Sequence, residues 1–420
     1  GSAVAVLSVG GDAGLAPVAL SSFFAGSALA SPAAAPLFER LGRRGGFVSG
    51  SIAGVIGGAI GCVAIVTSSP ALVVASAFPI GLSNGVGQHL RFAAMEVLAI
   101  DGAREFAMTT TLTGGCIAAF LGPESQGATR DVFGDDLTYL GLFVMIALFN
   151  ALCIFLVSLV RFPVKAYLDK SKDEGDNERF SNEAPAEHGP MMSLVLRDGF
   201  LTSSALATLS WSIMAMPMSV VRIAMAAGGY TKRLGLSTLE LHFLGMFSPG
   251  FVSGSLIRSQ GTGRMGWLGL ALFISALVCN ILAREEEEGT AAPWMIGLVL
   301  LGVGWNVTFA SATVMLSKTY KDTPADATRI QAANDCVMFG ITGALVVSTG
   351  YIYQAGGSGM EGWKLVNYVV FALVLVMFSV LLKIALGLLK EHPVASDPAT
   401  LKKNSDSFEL PEMELTNEVP

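Results

Sequence analysis

The stretch "APLFERLGRRGGF" (35–47) decides how this chain folds, because it interrupts a long apolar region with charge. Segments 15–37 and 46–67 on either side are apolar. Each has the length of roughly 20 residues that a helix needs to cross a hydrocarbon layer of about 30 Å. Gly42 offers a turning point among the arginines. The stretch therefore predicts a short basic loop between two membrane-spanning helices.

The composition of the whole chain agrees with this reading. Of its 420 residues, 52% are hydrophobic and 14% are charged, and the mean hydropathy is +0.60. A soluble protein carries about 25% charged residues. The sequence thus predicts an all-α, polytopic membrane protein, in which residues 1–12 are expected to be the end of a first span that is largely missing. Complete spans are predicted near 15–37, 46–67, 71–98, 105–127, 136–160, 197–227, 237–258, 265–283, 292–316, 329–352 and 364–388.

Two charged, weakly apolar segments divide the chain and are predicted to be disordered. The expected organisation is a first transmembrane bundle (1–160), a linker (161–196), a second bundle (197–390) and a tail (391–420). Basic residues concentrate on the side of the linker and tail, which the positive-inside rule makes cytosolic. The protein is expected in the plasma membrane or another cellular membrane.

The hexapeptide "GFVSGS" occurs twice, at 46–51 and 250–255, without marking an internal repeat. The first copy opens a span and the second precedes a basic loop, so they occupy different places in the two halves. The better alignment pairs "APLFERLGRR" (35–44) with "GSLIRSQGTGR" (254–264). Both stretches lead from the end of a span into a basic loop that contains glycine.

Glycines at four-residue spacing create a smooth face on the span 46–67, where another helix can approach closely. Such a face serves either homodimerisation or packing within the chain. Packing within the chain is favoured, because a protein with many spans has many internal helix contacts, and a monomer is therefore expected. The glycines are Gly46, Gly50, Gly54 and Gly58.

The opening stretch resembles the loop signature of the major facilitator superfamily, G-x-x-x-D-x-x-G-R-R. Gly42, Arg43 and Arg44 match the signature, whereas Ala35 and Glu39 replace its first glycine and its aspartate. The resemblance implies two six-helix bundles, a central cavity and alternating access.

Further stretches extend the resemblance over most of residues 15–390. "AAFLGPESQG" (118–127) is similar to the fifth-span signature of proton-driven antiporters, with Gly122 and Pro123 at the expected places. The following stretches are similar to bacterial-type permeases of the superfamily: "RFAAMEV" (91–97), "LHFLGMFSPGF" (241–251), "LGVGWNVTFASATVML" (301–316) and "QAANDCVMFG" (331–340).

A polar face on the span 71–98 carries Asn84, Gln88 and Arg91 at i, i+4 and i+7. The amides suit a cavity wall for a hydrogen-bonding solute. Arg91 either meets solute or pairs with Glu39 or Asp335 and closes a gate, and the gate is favoured because charges at helix ends usually pair. By the resemblance, the loop signature belongs to a charge network of this kind. The predicted network comprises Glu39, Arg43, Arg44, Arg91 and Asp335.

Three ionisable residues near the other ends of two spans are candidates for proton coupling. Glu124 follows the predicted helix bend at Gly122 and Pro123, and Glu240 and His242 begin the span 237–258. By the resemblance these spans are neighbours, so Glu124 can reach His242. A carboxylate beside an imidazole is able to titrate near neutral pH. The alternative is a static salt bridge or a solvated rim.

The span 197–227 offers a candidate surface for substrate. Methionines flanking an aromatic ring form an adaptable apolar wall, although such a stripe is more often ordinary packing. Pro217 predicts a bend in this span. The candidate cavity residues here and in the spans 292–316 and 329–352 are Trp211, Met214, Met218, Arg222, Trp305, Asn306 and Asn334.

No phosphate-binding loop, nucleophile motif or metal-ligand spacing occurs in the sequence, so an ATP-driven pump or an enzyme is not expected. We expect no cofactor, no metal and no nucleic-acid partner. The prediction is a secondary active transporter that exports a small organic solute by proton-coupled alternating access, with solute, protons and the lipid bilayer as partners. The alternatives are uptake of a metabolite or vitamin, and a non-transporting receptor or scaffold.

Overall fold

The computed structural model describes residues 2–11, 15–97, 104–160, 162, 191–196, 198–320 and 326–388. These residues form helices joined by short connections, and no strand occurs among them. The all-helical prediction is therefore confirmed. Nearly all of the predicted linker and the whole predicted tail lie outside the described residues.

The helices follow one another in two sets, one before and one after the linker region. We call residues before the linker the first half and residues after it the second half. The first half contains α1 (Ser2–Ser8), α2 (Leu15–Val66), α3 (Pro70–Gly87), α4 (Leu90–Val97), α5 (Arg104–Thr113), α6 (Gly115–Thr129) and α7 (Leu140–Leu159). A short helix, α8 (Met191–Val195), lies within the end of the predicted linker, where the sequence predicts disorder. After the linker come α9 (Asp198–Ala227), α10 (Lys232–Phe247), α11 (Gly250–Gln260), α12 (Thr262–Leu282), α13 (Ala292–Thr319), α14 (Ala327–Ala355) and α15 (Gly359–Ala385).

Nine helical stretches of the described chain are long and apolar enough to cross a membrane. The predicted path has eleven crossings, and the difference has two causes. α2 counts once although Gly42 breaks it into two arms. The predicted span 237–258 is divided at Ser248 and Pro249 into α10 and α11, each too short to count alone.

Gly42 and Gly261 adopt the same unusual backbone conformation in the two halves. Gly42 has φ 69° and ψ 170°, and Gly261 has φ 83° and ψ 159°. A positive φ of this kind is readily available only to glycine. The two breaks lie at matching places in the aligned stretches 35–44 and 254–264, so the structure confirms that alignment.

Replacing Gly261 with alanine should destabilise the protein by about 1–2 kcal/mol, because a Cβ is strained at positive φ. An added Cβ meets no atom within 4 Å there, so crowding does not contribute. Gly340 is the matched control, since it is equally open but helical. Gly340→Ala should be neutral or stabilising by up to about 1 kcal/mol. Thermal unfolding of both purified variants tests this, and equal shifts would contradict it.

The two halves meet along two sets of helix pairs. α2 packs against α3 and α7 within the first half and crosses to α14 of the second half. On the other side, α6 contacts α10 and α5 contacts α11. Within the second half, α9 packs against α13, α14 and α15. The interface between these sets is where the polar and aromatic residues of the site lie.

The two ends of the helix bundle can be told apart by the glycine breaks at one end and the cap of α3 at the other. We call the end with the Gly42 and Gly261 breaks the Gly42 end, and the opposite end, where Ser69 caps α3, the Ser69 end. The predicted bends at Pro123 and Pro217 lie inside continuous helices, α6 and α9. The interruption in the span 105–127 lies instead at Gly114, between α5 and α6.

Candidate functional site

Arg91 and Asp335 form a buried ion pair between the two halves. The Arg91 NH2 atom lies 2.6 Å from Oδ1 of Asp335, and the side chains are 2% and 0% exposed. Arg91 belongs to α4 and Asp335 to the first turns of α14, both near the Gly42 end. Removing one member of a buried pair leaves an uncompensated charge, at a cost of about 3–5 kcal/mol. The pair therefore ties the halves together at this end.

A chain of hydrogen bonds leads from Arg91 toward the middle of the first half. Arg91 NH1 donates to Oε1 of Gln88 at 2.8 Å. Gln88 Nε2 donates to Oδ1 of Asn84 at 3.4 Å, and Asn84 Nδ2 donates to Oγ of Ser27 on α2 at 3.0 Å. The predicted face of α3 and α4 is thus a single connected network rather than three separate polar groups.

The network continues into the second half through Asp335. Asn334 Nδ2 donates to Oδ1 of Asp335 at 2.9 Å, and the hydroxyl of Ser204 on α9 donates to Oδ1 of Asn334 at 2.7 Å. Both residues are buried. Five helices, α2, α3, α4, α9 and α14, are therefore joined by one path of polar contacts.

The other members of the predicted charge network lie at the loop and not beside Asp335. Glu39 and Arg44 are exposed. Arg43 is partly buried, with its guanidinium carbon 5.2 Å from the ring centroid of Phe38. Of the two partners predicted for Arg91, the structure places Asp335 in contact, while a gate role for the whole network stays a prediction.

An aromatic cluster lies between the halves, next to the ion pair. Trp211 of α9 is at its centre, with ring centroids 5.1 Å from Trp305, 5.3 Å from Phe339 and 6.2 Å from Phe24. Trp305 stacks on Phe309 at 5.0 Å and 20°. We call these five residues the aromatic cluster. Phe24 comes from the first half and the other four come from the second.

Two features make the aromatic cluster a candidate binding site. The indole Nε1 atoms of Trp211 and Trp305 are buried and have no hydrogen-bond partner among the described residues. Buried N–H donors are nearly always paired in folded proteins. In addition, the guanidinium carbon of Arg91 lies 4.6 Å from the ring centroid of Phe309, so the cluster contacts the ion pair directly.

The remaining predicted cavity residues are dispersed. Met214 is fully buried in a hydrophobic core cluster that consists mostly of second-half residues. Met218 and Arg222 are partly buried. Asn306 of α13 donates from Nδ2 to the carbonyl of Met246 at 2.7 Å and thereby holds α13 against α10. The predicted stripe thus contributes Trp211 to the site, whereas Met214 and Asn306 serve helix packing.

The predicted contact between Glu124 and His242 is not present in the structure. Glu124 Oε1 lies 3.0 Å from Arg233 NH1, and both side chains are exposed. The His242 Nδ1 atom is instead 2.7 Å from the carbonyl oxygen of Leu298. Residues two apart on a helix point to different faces, so His242 faces α13 while Glu240 faces α6.

Glu240 takes the place that was predicted for His242. Its carboxyl group is close enough to that of Glu124 for the two to interact electrostatically across the contact between α10 and α6. Glu240 is 8% exposed, and its Oε1 atom has no partner among the described residues. Two adjacent carboxylates repel each other unless one of them carries a proton. The two carboxyl groups lie where the halves meet near the Ser69 end.

Sequence reasoning missed His89, the phenylalanines of the aromatic cluster, and the serines Ser27 and Ser204 of the hydrogen-bond network. His89 separates α3 from α4 and is fully buried beside the ion pair. An ionisable side chain inside a predicted span is a signal that was available for it. Phe24, Phe309, Phe339 and Ser27 give no such signal, since these residue types are common in apolar helices.

An apolar groove on the described surface is a poorer candidate than the aromatic cluster. It measures about 590 Å³ and runs between α2 and α14. Its lining is almost entirely apolar, with the hydroxyls of Ser21 and Ser22 as its only polar side chains. No group of three or more potential metal ligands occurs in the described part of the chain.

Comparison with known proteins assigns a family to this arrangement. The sequence model of the Major Facilitator Superfamily matches residues 3–347. The riboflavin transporter RfnT of Brucella anthropi is 27% identical over 389 residues, which are 90% of this chain and 91% of that protein. The uncharacterized MFS-type transporter YddS of Bacillus subtilis is 24% identical over 310 residues, 71% of this chain and 67% of that one.

Solved structures share the fold at lower sequence identity. The fucose:proton symporter FucP of E. coli superposes with a TM-score of 0.61 at 16% identity, covering 87% of this chain and 90% of FucP. The human organic anion transporter MFSD10 gives a TM-score of 0.60 at 15% identity, with 87% and 83% covered. At these identities the likeness concerns the fold alone.

Proposed function

We propose that this chain, which belongs to the Major Facilitator Superfamily, carries a planar aromatic solute of the riboflavin type across the membrane. The solute would bind in the aromatic cluster between the halves. The relative named as a riboflavin transporter supports this class of solute. Alternating access would expose the cluster to one side of the membrane at a time.

One observation carries the proposal: two unpartnered indole N–H donors lie within a group of aromatic rings. An unpaired buried donor costs about 1–3 kcal/mol, which a ligand acceptor can offset. A flavin ring system offers carbonyl oxygens and ring nitrogens at its edge and a flat face for stacking. Aromatic pairs gain about 0.5–1.5 kcal/mol beyond burial alone. Ring faces and indole donors together suit such a molecule.

The Arg91–Asp335 pair would close the Gly42 end of the solute path. The helical segments around the two glycine breaks carry Arg40, Arg43, Arg44, Arg258 and Arg264. The positive-inside rule places such basic segments in the cytosol. The proposed orientation therefore puts the ion pair at the cytosolic mouth. With the Gly42 end closed, alternating access would open the aromatic cluster toward the Ser69 end.

Transport of tritiated riboflavin into proteoliposomes tests the proposal. We expect saturable uptake that unlabelled riboflavin competes away and that protein-free liposomes lack. Ribose and thymine are the control competitors, since neither offers a tricyclic ring system. Saturable binding without transport would favour a receptor, and neither binding nor transport would contradict a flavin-like solute.

Proton coupling is proposed to use the Glu124–Glu240 carboxyl pair. Glu240→Gln removes the proton-binding group at nearly constant size, so solute accumulation driven by a pH gradient should fall by about tenfold or more. Exchange of labelled for unlabelled solute should continue, because it needs no net proton movement. Glu361→Gln is the control, since Glu361 pairs with Lys364 at the surface. Loss of exchange and accumulation together would assign Glu240 a structural role.

The same assay decides the direction of transport. The antiporter-like Gly122 and Pro123 favour proton-driven export, whereas a vitamin-like solute favours uptake as the second candidate. With an imposed pH gradient, export predicts that solute and protons move in opposite directions. Uptake by symport predicts that they move together.

A further inference from the structure

We propose that His89 is a proton-binding site whose protonation opens the Arg91–Asp335 pair. This inference goes beyond the proposed function and does not depend on which solute is carried. It concerns the equilibrium between closed and open states of the Gly42 end.

The position of His89 is unusual for an ionisable side chain. The residue is 0% exposed, and neither ring nitrogen has a hydrogen-bond partner among the described residues. Its ring makes an edge contact with Phe38 of α2 at 5.4 Å between centroids and lies 6.0 Å from the ring of Phe92. Burying an imidazole without a hydrogen bond is unfavourable, so packing alone does not account for histidine at this position.

Other unpartnered polar atoms surround His89. Asp335 Oδ2, Arg91 Nε and Gln331 Oε1 are all buried without a partner in the described part of the chain. Gln331 and Asp335 belong to α14 and Arg91 to α4, and all three are neighbours of the imidazole. Together these groups make the surroundings of His89 an incompletely bonded polar network, which is costly to bury in this form.

The charges around His89 determine what a proton would do there. Asp335 already receives hydrogen bonds from Arg91 and Asn334 through Oδ1. The other titratable and charged groups that face the imidazole are Arg91 of α4, Arg43 of α2 and, through Gln331, Tyr320 at the end of α13.

An added imidazolium would therefore stand beside two guanidinium groups and one carboxylate that is already paired. In the closed state a proton on His89 adds a positive charge that is cut off from water. The acceptors beside it, Oδ2 of Asp335 and Oε1 of Gln331, supply no negative charge beyond the one that Arg91 already balances. When the halves separate at the Gly42 end, water can solvate the charge on His89. The open state thus binds the proton more tightly, and by linkage lower pH favours the open state. The closed state is therefore most stable at high pH, and it loses stability relative to the open state as the pH falls and His89 becomes protonated.

The test measures the distance between the halves at the Gly42 end as a function of pH. Spin labels are placed at Arg40 and Ser259, which are exposed residues of different halves, in a background without the native cysteines Cys62, Cys116, Cys153, Cys279 and Cys336. We expect the ratio of open to closed protein to rise by about tenfold between pH 8 and pH 5, the range over which histidine titrates.

His89→Gln should abolish this pH response, because glutamine keeps a polar side chain but does not titrate. His242→Gln is the matched control, since His242 is also fully buried but bonds to a backbone carbonyl of α13; its pH response should match the wild type. Thermal unfolding and gel filtration establish that each variant is folded. If His89→Gln does not fold, His89→Asn replaces it. A pH response that persists in the folded variant, or a wild type without one, overturns the proposal.

Discussion

Asp335→Asn should shift the protein strongly toward the state that is open at the Gly42 end. The substitution keeps the shape of the side chain but leaves the guanidinium of Arg91 buried beside a neutral amide. Breaking a buried ion pair in this way costs about 3–5 kcal/mol, so the ratio of closed to open protein should fall by about a hundredfold or more. The distance between labels at Arg40 and Ser259 reports this ratio directly.

The exposed pair of Glu361 and Lys364 provides the control for this experiment. Its atoms are 2.7 Å apart, nearly as close as those of the buried pair, but Glu361 is 74% exposed. Exposed pairs contribute about 0–1 kcal/mol, so Glu361→Gln should leave the distance distribution unchanged. If Asp335→Asn behaves like Glu361→Gln, the buried pair does not hold the Gly42 end closed.

Trp305→Phe should weaken riboflavin binding by about tenfold, because it removes one N–H donor while keeping an aromatic ring for stacking. Trp211→Phe should have a similar effect, and the double variant should lose about a hundredfold. Neither variant should be less stable through a lost hydrogen bond, because neither Nε1 atom has a partner in the described structure. If riboflavin binds more weakly while the stability of the ligand-free protein is unchanged, the indole N–H contacts the ligand rather than the protein. Titration of the purified protein, followed by quenching of tryptophan fluorescence, measures the affinity.

Trp267→Phe is the matched control for the aromatic cluster. Trp267 lies on α12, where its ring contacts Phe378 of α15 and no member of the cluster. Its replacement by phenylalanine should leave the affinity for riboflavin unchanged. Equal losses in Trp267→Phe and Trp305→Phe would show that the cluster is not the binding site.

Most of the fold could be predicted from the sequence because the membrane imposes a simple rule. A helix that crosses a hydrocarbon layer needs a continuous apolar segment of about 20 residues, and the stretch at 35–47 shows where one such segment ends. The breaks within spans were harder to predict. Gly114 and Pro249 interrupt helices inside apolar segments, where hydropathy does not change.

The candidate site was predictable only where polar residues recur at helical spacing and so share one face of a helix. Asn84, Gln88 and Arg91 share one helical face, and the structure joins them in one network. The predicted contact of Glu124 with His242 is absent because sequence gives the neighbouring helices but not their rotation about their axes. The residue of α10 that faces α6 is Glu240, which lies two positions before His242 in the chain.

Aromatic residues that meet only in three dimensions were beyond sequence reasoning. Phe24 lies far along the chain from Trp211 and Phe339, yet all three pack together. Their assembly depends on α2 crossing to α14. His89 was identifiable by type, since a titratable side chain inside a span is uncommon, but its neighbours on α14 were not.

The central claim is that solute in the aromatic cluster changes the state of the Arg91–Asp335 pair, which Phe309 contacts. The most direct measurement is the distance between labels at Arg40 and Ser259 with and without saturating riboflavin, at constant pH. The account predicts that riboflavin changes the ratio of open to closed protein in the wild type. At the same riboflavin concentration the change should be much smaller in the Trp211→Phe, Trp305→Phe double variant. A distance distribution that stays the same while riboflavin is bound would contradict the account.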